Sequence, residues 1–595
     1  MERRDFLKSL AAGAVGWATV GKVADELGLV PAYMGQVKLI PSAEAAGFAS
    51  PFVIDASLTA RFQAATFPQS VAAGDPNPNG CVIWTRVSPL VVGAGLQQAA
   101  WQIASDPGFA PATIVLQGLA LVQPTRDNTV KLPLQSATMQ PFTLYYYRFI
   151  FNGVASRTGR FKTMPLPGAQ LQQLRIGYAV CQDYSNGFYN AYGYLAQEEV
   201  DVVVHLGDYI YEYLSDGSGG TDGGSVRVVP PYPSGAQKPQ NLGDYRHLYQ
   251  VYRADPQIQA MHERFAMILL WDDHEFMNDC HQDFHEDTPN PGENATTPKP
   301  LLRQQASQAW WEHGLAAVPF NPNLDWQNSI QIYRSFHFGT LLDLVVTDER
   351  LYRDGPPCGD LQSQRYLTQG CTAVTDPART MLGTAQKQWF LQQMTGSVAT
   401  WKVWANEVML CQYLVGPPGA PQVEYFDLDQ WDGYPVERAQ ILGTIKQAGV
   451  QNFVAISGDA HLYLASTLKT NFNDPNEAPM GVEFMVGAIS SGNYGDAMVE
   501  PPVDLSTIPS LPAGAVRAAQ TGLPIDSFER LVMAYNPHIK FFNGSTWGYA
   551  ILTVTPQKMI CDFRVVSTVK QPTATLSQLA SFTVPVNSAS IAQTV

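Results

Sequence analysis

The sequence predicts an α/β protein in which a small antiparallel β-sandwich of immunoglobulin or fibronectin type precedes a larger layered unit. Three observations carry that expectation. Residues from about 50 to 165 alternate short β-rich runs with Gly, Pro and Asn clusters. From about residue 170 onward, unbroken apolar runs recur that suit strands covered on both faces. Helical patterns lie between those runs, and alternating strands and helices argue for an α/β sheet or a sheet-on-sheet sandwich flanked by helices. The chain has 595 residues, 45% of them hydrophobic and 11% aromatic, which is ample for a large core and excludes wholesale disorder. Its length alone suggests roughly four domain equivalents, which these patterns reduce to two real domains.

Residues 1–46 read as a targeting segment. Arg3-Arg4-Asp5-Phe6-Leu7-Lys8 is a twin-arginine pair followed by a hydrophobic residue and a lysine. An apolar run over 10–21 follows, and Ala43-Glu44-Ala45 offers small residues for cleavage. A run of about 12 residues is too short for a bilayer, which needs about 20, and no later segment reaches transmembrane length. The expectation is a periplasmic or secreted protein, exported folded by the twin-arginine machinery.

Within 50–165 the β-rich runs are 82–86, 101–103, 113–122, 142–151 and 160–163, with Gly74-Asp75-Pro76-Asn77-Pro78-Asn79-Gly80 among the turn clusters. Pro165-Leu166-Pro167-Gly168 reads as a linker. The unit from 170 to 595 carries apolar runs at 174–180, 200–206, 265–271, 341–347, 401–405 and 452–457. Helices are expected at 187–199, 301–313, 385–394 (with Thr384 as its cap) and 435–447. The Gly-rich stretch 217–224 lacks a Gly-Lys-Ser/Thr ending and reads as a flexible loop. There is no internal repeat.

The net charge of −15 argues against a phosphate-tracking nucleic-acid binder, and it survives removal of residues 1–46. Seven cysteines are too few for a disulfide scaffold. Cys358 and Cys371 flank a polar loop and are able to form a disulfide once exported.

Polar residues gather at the C-terminal ends of four apolar runs, where open α/β sheets form their sites. These are Cys181-Gln182-Asp183, then Gly207-Asp208-Tyr209-Ile210-Tyr211-Glu212, then Asp272-Asp273-His274-Glu275 with Asn278 a turn later, and Ser457-Gly458-Asp459-Ala460-His461. Taken singly, each has a bland reading: a helix-capping Asp, a buried apolar Cys, a solvated Glu212 or Glu275. Two adjacent acids before a histidine are harder to dismiss, because like charges repel unless a cation holds them. Together the clusters point to a metal centre. With 10 histidines in the chain and only His274 and His461 in the clusters, a three-histidine zinc site is disfavoured. Carboxylate and amide oxygens favour Ca²⁺, Mg²⁺ or Mn²⁺, and a phenolate or thiolate favours Fe³⁺. Such a centre suits phosphoester hydrolysis, in which cations neutralise phosphoryl oxygens, acidify water and orient it for in-line attack.

Asp75-Pro76, Trp84-Thr85-Arg86, Cys181-Gln182, the 205–212 and 271–275 motifs, the 457–461 motif and Asn536-Pro537-His538 together resemble the alkaline phosphatase D (PhoD-like) family of calcineurin-like metallophosphoesterases. The resemblance implies an αββα catalytic domain and a binuclear or larger centre, Fe³⁺ with Ca²⁺, or with Mn²⁺ or Mg²⁺. It implies that Asp208 bridges metals, that Cys181 and Tyr211 serve a ferric ion, and that Asp273, Asp459 and His461 are ligands. Asn278 is a weaker candidate and Asp272 an additional one, and the resemblance implies that His274 takes the place of the catalytic histidine facing the phosphate. Cys181 stands where the wider superfamily has an Asp-x-His motif, which makes it the most informative position.

Asp75 and Trp84-Thr85-Arg86 read as holding the β-domain together. Arg379-Thr380-Met381-Leu382-Gly383 reads as a helix entry, and Trp310-Trp311 as core. The leading expectation is an exported phosphomonoesterase or phosphodiesterase using a metal-activated hydroxide. A phospholipase D-like diesterase is the runner-up within that chemistry, and a metal-stabilised surface binding protein the alternative from another class. A serine hydrolase lacks its Gly-x-Ser-x-Gly elbow.

Overall fold

The computed structural model describes residues 37–39, 63–93, 97–217, 225–285, 297–359, 362–368, 370–415, 424–494 and 525–595. Of the expected export signal, the strand β1 (Val37–Leu39) alone falls among them, and the glycine-rich loop lies outside them from residue 218 to 224.

Among the described residues up to 162, strands dominate, with a helical turn at 63–66 and short 3-10 turns at Pro111–Thr113 and Pro124–Arg126. β2 (Val71–Asn77) and β3 (Gly80–Arg86) form a hairpin whose register shifts between Gly74 and Asn77. There follow β4 (Gln97–Ala104), β5 (Ile114–Val122), β6 (Thr129–Gln135), β7 (Leu144–Phe151), β8 (Val154–Ala155) and β9 (Gly159–Lys162). β1, β5, β4, β7 and β8 pair in that order, with β9 also on β7. This sheet packs on β2, β3 and β6 through Trp101, Ile103, Tyr147, Phe149, Ile83 and Leu132. The Gly-Asp-Pro-Asn cluster expected as a turn is therefore the bulged end of β2.

The chain beyond builds two mixed sheets. β10 (Leu174–Ala179), β11 (Val202–His205) and β14 (Ala266–Leu269) run parallel, and β14 also pairs in parallel with β2. The hairpin β12 (Ser215–Asp216) and β13 (Val228–Val229) stands apart. The second sheet begins with β15 (Arg334–Phe338) and β16 (Leu342–Val346). A small sheet holds β17 (Tyr366–Thr368), β19 (Leu414–Val415) and β20 (Glu424–Asp427), with β18 (Trp401–Ala405) between them in sequence. β21 (Phe453–Ser457), β22 (Tyr463–Leu468), β23 (Gly481–Met485) and β24 (Ile539–Asn543) complete the seven-stranded second sheet, in which β16, β18, β21 and β23 are parallel. β25 (Trp547–Val554), β26 (Lys558–Val566), β27 (Leu576–Pro585) and β28 (Ala592–Gln593) return to the first sheet, β25 lying antiparallel on β10. That sheet has ten strands, in the order β28-β27-β26-β25-β10-β11-β14-β2-β3-β6.

The inner faces of the two sheets share one core, including Ile176, Val203, Met267, Leu344, Val403, Val454 and Phe484. Helices cover the outer faces. α1 (Asn190–Leu195), α2 (Leu242–Tyr252), α3 (Pro256–Arg264) and α4 (Pro300–His313) pack with the first sheet's core through Tyr192, Tyr249, Met261 and Trp310. α5 (Gln362–Arg365) is one turn. α6 (Gly383–Gly396) and α7 (Pro435–Gln447) cover the second sheet through Phe390, Met394, Ile441 and Leu442; α8 (Ile525–Tyr535) precedes β24. The result is the αββα sandwich the resemblance implied, behind a β-rich N-terminal part. No helix among the described residues is long and apolar enough to cross a membrane.

Three helix expectations are corrected. The helix expected at 187–199 shrinks to α1. Thr384 lies inside α6 and caps nothing; the hydroxyl of Thr380 accepts from the Gly383 amide at 2.8 Å instead. α2 and α3 were not anticipated, although Asn241 and Asp255 cap them and Pro256 opens the latter. Trp310 and Trp311 are buried as expected. Asp75 and Trp84 reach beyond the β-rich part: Asp75 holds Arg334 at the start of β15, and the Trp84 indole donates to the Glu312 carbonyl at 2.9 Å.

Candidate metal centre

Parallel strands place their C-terminal ends on one edge, and both sheets use the same edge. β10 leads to Cys181, β11 to Asp208, β14 to Asp272, Asp273 and His274, β16 to Arg350, and β21 to Asp459 and His461. Two glycines let these ends meet. Gly207, at φ 122°, lies so close to Asp272 that a Cβ would sit 2.5 Å from its Cβ; a Cβ on Gly458 would sit 2.5 Å from a methyl of Val180. The first brings β11 against β14, the second brings the second sheet's loop onto the first sheet.

Cys181, Asp208, Asp459 and His461 all occupy the left-handed region, at φ 54°, 55°, 68° and 55°. Each such non-glycine residue costs on the order of 1–3 kcal/mol and persists where surrounding structure over-determines it. Here each of the four side chains enters a set of close donor atoms that includes Asp208.

Among the described residues, three sets of donor atoms lie within 4.8 Å of one another: Cys181, Asp208 and His461; Asp208, Asp273 and His274; and Asp208, Asp272, Asp273 and Asp459. Asp208 belongs to all three. The Cys181 thiol is 3.4 Å from Asp208 Oδ2, and the Tyr211 hydroxyl donates to the same oxygen at 3.0 Å while lying 3.2 Å from His461 Nε2. His461 Nδ1 is held by the Gly492 carbonyl at 2.5 Å, leaving Nε2 facing the cluster, as ligand histidines are commonly oriented. Asp272 Oδ2 and Asp273 Oδ1 are buried without a hydrogen-bond partner.

The electrostatics fit a cation. Burial raises the Cys181 thiol, with Asp208 adding to it. Burial and the neighbouring Asp273 push Asp208 well above the carboxylate range; burial raises Asp272 likewise and Asp459 to about 6. Burial lowers His461 to about 4. Asp273 goes the other way: burial opposes ionisation, but Arg350 and His274 hold it down. Acids this crowded resist ionising together, and thiolate, phenolate, carboxylate and neutral imidazole are the donors that added positive charge would favour. Orphaned carboxylate oxygens among such donors fit a multinuclear site.

His274 stands beside the cluster. Its Nδ1 lies 2.7 Å from Glu212 Oε2, and its ring lies 4.0 Å, centroid to centroid, from that of Tyr211. Burial disfavours the charged imidazole, but Glu212, Asp273 and Asp208 outweigh it and raise His274 well above its usual value.

Glu212 and Glu275 are not solvated charges. Both are buried. Glu275 accepts from the amides of Asp208, Tyr209 and Asp272 at 3.0, 2.7 and 2.8 Å, tying the ends of β11 and β14 together. The Asn278 side chain donates to Asp279 Oδ2 at 2.8 Å, and its oxygen accepts from Tyr213. Tyr209 turns away to His262, at 2.8 Å. Asp183 accepts from Ser185, and Asn536 and His538 bond the 412–414 backbone; none of the three is in a donor set. Arg379 reaches the Gly355 carbonyl.

Sequence reasoning missed Arg350 and Asp429. Arg350 follows β16, is fully buried, and contacts Asp272, Asp429 and Asp459. The strand-end rule that found the others applies to Asp348-Glu349-Arg350 as well.

Two family models match the chain: the PhoD-like phosphatase over residues 176–563 and the PhoD-like phosphatase N-terminal domain over 53–165. The chain is 32% identical over 529 residues to alkaline phosphatase D of Bacillus subtilis (strain 168), spanning 88% of this chain and 81% of that one. A solved structure of PhoD superposes with a TM-score of 0.74 at 30% identity, covering 89% of this chain and 92% of that chain.

Proposed function

The chain belongs to the PhoD-like phosphatase family and is a phosphoric ester hydrolase, and from that premise we propose that it hydrolyses phosphate esters at a metal centre bridged by Asp208. The membership of Asp208 in all three donor sets carries this reading. Cys181, Tyr211, Asp208 and His461 would hold Fe³⁺. Asp208, Asp273 and Asp459 would hold Ca²⁺, with Mn²⁺ or Mg²⁺ as the alternatives of the same hardness. Such cations, when bound, supply charge to the phosphoryl oxygens and Lewis acidity toward water.

The chain's own groups supply the rest. Glu212 fixes the His274 ring through Nδ1 and favours its charged form, so Nε2 is left to donate a proton to the leaving oxygen. Glu275 holds the loops that carry Asp208 and Asp272, which keeps the phosphoryl group's surroundings preorganised. We also propose export by the twin-arginine route, supported by Arg3-Arg4 and by the Cys358–Cys371 disulfide, a bond that persists in oxidising compartments.

Cys181→Ser and Asp208→Asn should each abolish hydrolysis of nitrophenyl phosphate while the melting transition is retained. Full activity in either folded variant would overturn the assignment. Running bis-nitrophenyl phosphate alongside separates monoesterase from diesterase, and elemental analysis of the active protein reads the metals directly.

A further inference from the structure

We propose that Arg350 is a positioning residue, an internal cation that clamps the acid-bearing ends of the two sheets and sets the geometry of the metal-facing carboxylates. The inference rests on the metal-centre reading above.

Every nitrogen of the guanidinium meets a carboxylate. Nε bonds Asp272 Oδ1, Nη1 lies 2.6 Å from Asp429 Oδ2, and Nη2 lies 3.0 Å from Asp459 Oδ1 and 3.8 Å from Asp273 Oδ1. Asp272 and Asp273 follow β14 in the first sheet, whereas Asp459 follows β21 in the second. Elsewhere the two sheets meet through apolar side chains and through hydrogen bonds such as Tyr178 to the Phe484 carbonyl and Arg334 to the Leu269 carbonyl, none of which sets the direction of a carboxylate in the donor sets. A planar fork that is always charged does fix direction, and a lysine's single ammonium does not.

Arg350 is itself held in advance. Asp348 Oδ1 accepts from the amides of Arg350 and Leu351 at 3.1 and 2.9 Å and from the indole of Trp271, the residue before Asp272, at 3.0 Å. One carboxylate thus anchors both members of the Arg350–Asp272 pair. Asp429 is tied in turn to Arg353, which is also fully buried. In this arrangement Arg350 takes one oxygen of Asp272 and one of Asp459, while Asp272 Oδ2 and Asp273 Oδ1 are left without a hydrogen-bond partner beside Asp208.

Arg350→Ala and Arg350→Lys, made in the full chain, test this. Ca²⁺ and Fe³⁺ binding are measured by titration and elemental analysis, alongside kcat, KM and melting. Arg350→Ala should bind Ca²⁺ at least 10-fold more weakly and lose about 100-fold or more in kcat with KM little changed. Guanidinium ion at millimolar concentration should restore part of both in Arg350→Ala and neither in Arg350→Lys. If Arg350→Ala does not fold, Arg350→Lys decides, with weakened Ca²⁺ binding in a folded protein as the expected result. Folded variants that bind Ca²⁺ and turn over as the parent does would overturn the clamp. Cation binding that depends on Arg350 in a parent protein that hydrolyses no phosphate ester would instead overturn the metal-hydrolase reading and leave the clamp standing.

Discussion

At the scale of single residues, the pair His274–Glu212 makes a prediction with a definite sign. A histidine raised by neighbouring carboxylates keeps its proton at neutral pH and loses it only as pH climbs, so an acid-catalysed step is retained into the alkaline range. Glu212→Gln removes the nearest of those charges. The alkaline limb of the kcat–pH profile should move to lower pH, and kcat at the optimum should fall about 10- to 100-fold. A profile that keeps its limb would show that His274 does not donate the proton. His274, Cys181, Asp208 and Asp459 were legible because each follows an apolar run, and a polar side chain there has nowhere to go but the shared edge. Arg350 was equally well placed but sits in Asp348-Glu349-Arg350, whose mixed charge reads as an ordinary surface pair. Asp429 follows the short β20, with no apolar run to mark it. Asn278 lies a turn beyond Asp273, where its amide group donates to Asp279 and its oxygen accepts from Tyr213.

At the scale of elements, the structure carries two devices, one that sequence patterns do not display and one that the placement of Cys358 and Cys371 suggests. Glu349, after β16, and Glu407, after β18, each accept from the other's amide, at 2.9 and 2.6 Å. Burial pushes Glu349 up to about 8 from an ordinary value of 4.5, and burial together with Glu349 raises Glu407. The folded protein therefore keeps a proton that the unfolded chain has released, and stability contributed here is lost as pH rises from about 4.5 to about 8. Glu349→Gln should flatten that loss, read as a smaller drop in thermal midpoint between pH 5 and pH 8; an unchanged drop would exclude the pair as its source. The second device is the disulfide between Cys358 and Cys371, 13 residues apart. The loop it closes contains Arg365, which is fully buried and lies 2.5 Å from Asp279 and 3.9 Å from Asp429. Replacing both cysteines by serine should remove about 3 kcal/mol of stability by loop entropy and weaken Ca²⁺ binding through Arg365. Equal melting and equal Ca²⁺ binding before and after reduction would refute both parts. The Asn241 and Asp255-Pro256 caps of α2 and α3 were legible and should have been read. The left-handed backbone of Cys181, Asp208, Asp459 and His461 was not, because tertiary contacts alone offset its cost.

At the scale of the whole molecule, we propose that residues 50–165 and 170–595 are two units in sequence that fold as one. Composition changes at the Pro-rich linker, and that change is all a sequence pattern registers. What it does not register is that β2, β3 and β6 extend the sheet that carries Asp208 and Asp273, through β2 paired in parallel on β14. The junction is also ionic: Arg334, half-buried, holds both oxygens of the buried Asp75 at 2.9 and 2.8 Å and donates to the Leu269 carbonyl at 2.9 Å, where β14 ends. Removing one partner of such a pair leaves an uncompensated charge and costs about 3–5 kcal/mol. Asp75→Ala should therefore lower the melting temperature by several degrees. Removing residues up to 165 should do far more, because it strips the neighbour from β14 and leaves Ala266, which packs in the β-sandwich core, against solvent. An unpaired, apolar parallel strand is an aggregation template rather than a tolerable edge. A chain beginning at residue 166 should accumulate as aggregate or, if soluble, lack a cooperative transition and Ca²⁺ binding. A soluble, cooperatively melting fragment that hydrolyses nitrophenyl phosphate at the parent's rate would show that the shared sheet is an accident of adjacency and that the metal centre needs only the larger unit.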